Sequence, residues 1–244
     1  MADVPWLGRL VASRYRLIAR IGEDSIAELY LARHVLIDRL NAIKVLRPEL
    51  GRERGLRKLF LREAKAVNRI NHPNIVEISD YGETEDTAYL VMEYVPGEPL
   101  SRHLARGAVG WERASRIGLQ IALALSRAHE MGVIHRDIKP ANVLVIPRRG
   151  GDDSVKLTDF GVAKLVHSGT EQVHTTTGLV PAQLTPGYVA PEIRLIGILD
   201  ARSDLFSLGV LVYEAACGSL PYAPDATASA LPRVRPLSDF LEGS

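Results

Sequence analysis

The chain has 244 residues, and its 30 Lys and Arg against 29 Asp and Glu leave a formal net charge of +1. That balance supplies no global field for nucleic acid or an anionic membrane, so any recognition of phosphate has to be local. Hydrophobic residues at 46% and charged residues at 24% exclude a disordered or fibrous chain, and a single cysteine, Cys217, excludes an intrachain disulfide framework and a cysteine-based zinc site.

Residues 1–13 carry Asp3, Pro5 and Gly8 where a secretory signal would have a basic stretch and an apolar core. The longest nearly apolar run, 205–217, is interrupted by Glu214 and is too short to span a bilayer, so a cytoplasmic chain without a membrane span is expected. Tyr15, Leu17, Ala19 and Ile21 alternate with Arg16, Ile18 and Arg20, which predicts a strand stopping at Gly22. Runs at 27–33 and 41–46 complete a meander that Pro48 ends. Over 55–70, Leu56, Leu59, Phe60, Ala64, Val67 and Ile70 recur at helical spacing, and Asn71-His72-Pro73 stops that helix. Strand patterns follow at 75–80 and 88–95 before Pro96-Gly97 breaks the chain.

Beyond that break, 111–131 places Ala114, Ile117, Ile121, Leu125 and Ala128 on one stripe of a helix closed by Gly132. Ser203-Asp204 precedes a helix at 205–216 that lacks a polar face and is expected to be buried. The expected organisation is α+β and bilobal. An extension at 1–12 leads into a small β-rich lobe with one helix, 13–95. A larger, mainly helical lobe, 96–222, and a Pro- and Ala-rich tail, 223–244, follow.

Two residues sit awkwardly in this pattern. Glu63 falls on the apolar stripe of the first helix and Lys44 in the apolar run Ala42-Ile43-Lys44-Val45. Each would be costly to bury alone, so a strand-to-helix ion pair is one solution and snorkelling of both side chains to water is the other. The segment from His135 through Arg136, Asp137, Ile138, Lys139, Pro140 and Ala141 to Asn142 then packs an acid, a base and an amide behind a helix stop, and Asp159-Phe160-Gly161 follows.

With Lys44, Glu63, the His135 to Asn142 loop, Asp159-Phe160-Gly161 and Ala190-Pro191-Glu192 in that order, the sequence resembles the protein kinase superfamily, and most closely the bacterial eukaryotic-like Ser/Thr kinases. The resemblance implies a protein-kinase-like fold that uses ATP and Mg²⁺ to phosphorylate protein Ser or Thr hydroxyls. It implies that Lys44 holds the α- and β-phosphates, that Glu63 orients Lys44, and that Asn142 and Asp159 ligate Mg²⁺. Asp137 would accept or orient the proton of the acceptor hydroxyl, while Lys139 would steady the transferring group. Leu29 and Ala42 would cover the adenine and Leu144 would lie beneath it, with Ile21 and Gly22 also binding the nucleotide, Met92 as gatekeeper and the backbone of Glu93 to Val95 supplying hydrogen bonds. For the apolar members, ordinary core packing is the alternative. Val67, Ile78, His135 and Phe160 match a packing column of active kinases, with Asp204 its acidic anchor, so His135 is read as structural. Arg136 implies an activation segment, 159–192, ordered by phosphate on Thr170, Thr175, Thr176 or Thr177, with a homodimer phosphorylating in trans; an unmodified loop is the alternative.

The sequence also departs from that family. The pattern GxGxxGxV falls on Gly22, Asp24, Ala27 and Leu29, so only the first glycine is present and weaker ATP binding is expected. After residue 222 the family continues through further helices, whereas here a Pro-rich stretch carries Arg233 and Arg235; Glu192 is expected to lack its usual arginine, and the C-lobe reads as truncated. These departures motivate a rival reading, a pseudokinase acting as a nucleotide-binding or protein-interaction module. A small-molecule phosphotransferase is disfavoured by Lys139 and Ala190-Pro191-Glu192.

Overall fold

The computed structural model describes residues 6–84, 86–160, 185–197, 199–222, 234 and 236. The chain divides into two compact units, the first made of Met1–Asn71 and Val76–Val95, the second of His72–Ile75 and Pro96–Ser244.

The first unit contains β1 (Leu10–Val11), β2 (Tyr15–Glu23), β3 (Ala27–His34), β4 (Leu40–Leu46), α1 (Pro48–Gly51), α2 (Arg54–Ile70), β5 (Ile78–Glu83) and β6 (Ala88–Glu93). Its antiparallel sheet has the order β1-β2-β3-β4-β6-β5. Tyr15, Leu17, Tyr30, Ala32, Ile43, Val45, Tyr89 and Val91 form a core cluster on one face. The register Gly22↔Leu29, Leu29↔Lys44 and Lys44↔Leu90 sets the alternate residues in a row on the opposite face, joined by Leu31↔Ala42 and Ala42↔Met92.

The strand β2 runs on to Glu23 and does not stop at Gly22. Two register shifts, after Leu17 and after Arg20, break its expected alternation, because bulges leave Ile18 and Ile21 outside the one-to-one pairing. Ile21 is therefore exposed, not inward, whereas Ile18 is exposed on the side where the alternation places it, with Arg16 and Arg20. Pro48 does more than end β4: it occupies the first turn of α1, where its missing N–H costs nothing. The segment expected as a strand at 75–80 pairs with β6 only from Ile78. Ile75 instead bridges Leu157 in the second unit. In α2 the buried face is Leu56, Phe60, Glu63, Ala64, Val67 and Ile70, and the left-handed Asn71, with φ 40°, ends the helix.

The second unit contains β7 (Glu98–Pro99), α3 (Leu100–Leu104), α4 (Trp111–Glu130), β8 (Val143–Ile146), β9 (Ser154–Leu157), α5 (Pro191–Ile196) and α6 (Ala201–Cys217), with 3₁₀ turns at Pro140–Asn142 and Pro186–Tyr188. The order β7-β8-β9 makes a small antiparallel sheet. The expected stripe of α4 is buried throughout, and Gly132, with φ +70°, follows the helix end. The helix α6 begins at Ala201, four residues before the expected start, because Asp200 caps it: the Asp200 carboxylate accepts from Arg202 N, and a capping box with Ser203 completes the turn. Leu208, Val210, Leu211 and Ala215 are buried in α6, but Leu205 is 52% exposed, so the expected all-round burial does not hold.

Candidate active site

In the second unit the site is built on the residues that follow α4. Asp204, in the first turn of α6 and 1% exposed, accepts through Oδ2 from the backbone N–H of His135 and through Oδ1 from that of Arg136, both at 2.8 Å. His129, one turn after Leu125 on α4, places Nε2 2.8 Å from the same Oδ2. Two helices thus fix the loop through one carboxylate. Arg136 takes a left-handed φ of 71°, which only such over-determination sustains in a residue other than glycine.

His135 is fully buried. Its Nε2 donates to the Thr158 carbonyl at 3.1 Å, its Nδ1 accepts from Asp137 N at 3.3 Å, and its ring lies 4.5 Å from that of Phe160. Burial lowers its pKa below the usual 6.5 against the opposing pull of the Asp204 and Asp137 carboxylates. It is therefore neutral near pH 7, a support beneath Asp137.

Asp137 is held from two sides. Asn142 Nδ2 donates to the Asp137 carbonyl at 2.8 Å and to its Oδ2 at 2.9 Å. Lys139 Nζ lies 2.9 Å from that Oδ2 and donates to Thr185 Oγ1 at 3.2 Å. With its NH₂ turned to Asp137, Asn142 has an amide oxygen to offer as a hard donor. The bond from Thr158 N to Asn142 O, 3.0 Å, brings Asp159 beside the same loop, and Asp159 itself has a left-handed φ of 58°. An amide oxygen and a carboxylate suit Mg²⁺, and no group of three or more His, Cys, Asp or Glu placed to hold a metal ion is found among the described residues. Asn142 and Asp159 are the residues that would hold a bound Mg²⁺, an ion that commonly keeps water and substrate oxygens among its ligands. A cavity of about 370 Å³ next to Lys139 is lined by Ser101, Leu104, Thr185, Tyr188 and Glu214.

In the first unit, Lys44 is 7% and Glu63 4% exposed, which rules out snorkelling for both. An ion pair that sequence reasoning missed joins Lys44 Nζ to Asp24 Oδ2 at 2.9 Å. Ala42, Met92 and Val95 are buried, and Gly22, Leu29 and Glu93 are half-buried. Ile21, at its bulge, is 44% exposed. The Glu93 N–H donates to the Glu77 carbonyl at 3.0 Å. Leu144 lies half-buried on β8 of the second unit. Glu192, expected to lack its usual arginine, accepts from Ser203 Oγ at 2.9 Å. His129 was also missed, although its position four residues after Leu125 was a signal. Gly161, Thr170, Thr175, Thr176, Thr177, Arg233 and Arg235 lie outside the described residues.

A family model described as "Protein kinase domain" matches residues 15–235. The chain is 41% identical over 224 residues to the serine/threonine-protein kinase pkn3 of Myxococcus xanthus, covering 91% of this chain and 41% of that protein. It is 42% identical over 231 residues to the serine/threonine-protein kinase PksC of Streptomyces coelicolor, covering 91% of this chain and 40% of the relative. The chain thus spans about two fifths of the length of these curated relatives. Among solved structures, the PknI kinase domain of Mycobacterium tuberculosis superposes with a TM-score of 0.70 at 28% identity, covering 97% of this chain and 85% of that one.

Proposed function

Because the chain belongs to the protein kinase domain family and has its bilobal α+β fold, we propose that it transfers the γ-phosphoryl group of ATP to Ser or Thr hydroxyls of proteins. The observation that carries this reading is the clamp on Asp137: Asn142 and Lys139 both bind its Oδ2, and Lys139 reaches on to Thr185. The relatives reported above are named serine/threonine-protein kinases, which supports the same choice over a binding-only module.

Mg-ATP, when bound, supplies the phosphoryl group and the divalent charge. The chain's own residues position and neutralise, since phosphoryl transfer asks for little covalent work from the protein. Asp137, with Oδ2 fixed, presents its carboxylate to the acceptor hydroxyl and takes up or orients its proton. Lys139 keeps its ammonium beside that carboxylate and counters charge on the transferring group. Asn142 and Asp159 are the residues that would hold the metal, Lys44 the phosphates, and Glu63 would orient Lys44. Ile21, Gly22, Leu29, Ala42, Met92 and Leu144 would enclose the base, with the 93–95 backbone beside it. A reducing, ATP-containing compartment, the cytoplasm, is the proposed location, and no described helix is long and apolar enough to cross a membrane.

The test is phosphotransfer from γ-labelled ATP with Mg²⁺ to the chain itself or to a generic basic protein. Asp137→Asn, nearly isosteric, is expected to lower the rate by about 10²–10⁴-fold, the range of a lost general base. Equal labelling by the variant and the parent would reject the assignment.

A further inference from the structure

The turn between β2 and β3 carries charges that the phosphotransfer reading leaves unused. Asp24 stands where the family pattern has its second glycine, and its two carboxylate oxygens have different partners. Oδ1 accepts from the backbone N–H of Ile26 at 2.8 Å and of Ala27 at 2.7 Å, closing a side-chain turn. Oδ2 meets the Lys44 ammonium at 2.9 Å. The turn is fastened from outside by Arg47, whose guanidinium donates to Glu23 Oε2 at 2.7 Å and to the Asp24 carbonyl at 3.2 and 3.0 Å. Asp24 N also donates to the Ala27 carbonyl at 2.9 Å. In place of a pliant glycine turn there is a braced one, which delivers a fixed carboxylate to the cation read above as the phosphate ligand.

We propose that Asp24 is an anionic stand-in for nucleotide phosphate: it occupies the Lys44 ammonium and sets how much nucleotide is needed to displace it. The inference rests on the reading of Lys44 as a phosphate-binding residue. Carboxylate and phosphate are both anions competing for one mostly buried ammonium, whose side chain is 9% exposed. A nucleotide phosphate must break the Asp24–Lys44 contact or lie against a like charge, and either costs affinity. Adenosine has no phosphate and nothing to displace, so the effect of Asp24 scales with phosphate and not with the base.

Asp24→Asn separates this from a purely structural role. The amide keeps an oxygen for the Ile26 and Ala27 N–H groups, so the turn persists while the charge is gone. Calorimetric titration of the full chain with ATP, ADP and adenosine, in EDTA and again with Mg²⁺, reads the affinities directly. The expected result is ATP and ADP binding tightened by roughly tenfold, on the scale of one lost close charge contact, with adenosine unchanged. Asp24→Gly, which restores the family residue, should give the same order of ligands and guards against a misfolded Asn variant. An equal change for adenosine and ATP, or unchanged ATP binding by both variants, overturns the inference while leaving the kinase reading standing. Failure of both ATP and adenosine to bind the parent and both variants overturns the nucleotide reading, and the inference with it.

Discussion

At His135 burial decides protonation, and protonation decides what the residue can do. A fully buried imidazole that donates to Thr158 and accepts from Asp137 is useful only when neutral, and its pKa is lowered accordingly. The unfolded chain binds the proton first as pH falls below about 6.5, the native chain only later, so this contribution is fully present above pH 6.5 and declines by up to ~1.4 kcal/mol per pH unit below it. His135→Gln retains a donor for Thr158 and cannot titrate. It should be less stable than the parent at pH 7.5, and the gap between the two in chemical denaturation should narrow at pH 5.5; a gap independent of pH would contradict the neutral assignment. Lys44 and Glu63 show the same logic in a different form. Their apolar surroundings were legible in the sequence, and both are buried. The contact between Lys44 and Asp24 was not legible, because it depends on a turn that folds a carboxylate back over the strand beside it.

Among the elements, length governed legibility. The stripes of α2 and α4 repeat over four or more turns and were readable, whereas β7, β8, β9, α3 and α5 have two to six residues each, too few for a period to emerge. The start of α6 was misplaced for a local reason. Asp200 with Ser203 is a capping signal, whereas the apolar pattern begins only at Leu205, so periodicity alone places the start four residues late. Asp200→Ala removes acceptors for Arg202 N and for the Arg202 guanidinium. The exposed ion pair counts for little, so the expected loss is about 1 kcal/mol from the cap, or ~2–4 °C in Tm for a chain of this size. Because α6 also carries Asp204, which holds the backbone of His135 and Arg136, a larger loss of phosphotransfer than of stability would mean that fraying reaches the loop that carries Asp137.

For the molecule as a whole, binding and stability are linked. Mg-ATP at about 100 times its dissociation constant should stabilise the folded chain by ~2.7 kcal/mol, read as a rise in Tm that saturates with concentration. No shift at any concentration would contradict the nucleotide reading. The sequence by itself determined the family, the two-part α+β organisation and the residues around Asp137, because catalytic residue types at fixed spacing and long amphipathic stripes are local properties of a chain. Only the tertiary structure decided that the anchor Asp204 would accept from the backbone of both His135 and Arg136, that Lys139 would bridge Asp137 to Thr185, and that Asp24 would reach Lys44. Those contacts join residues distant in sequence, and their distances follow from bulges, caps and packing that no local pattern encodes.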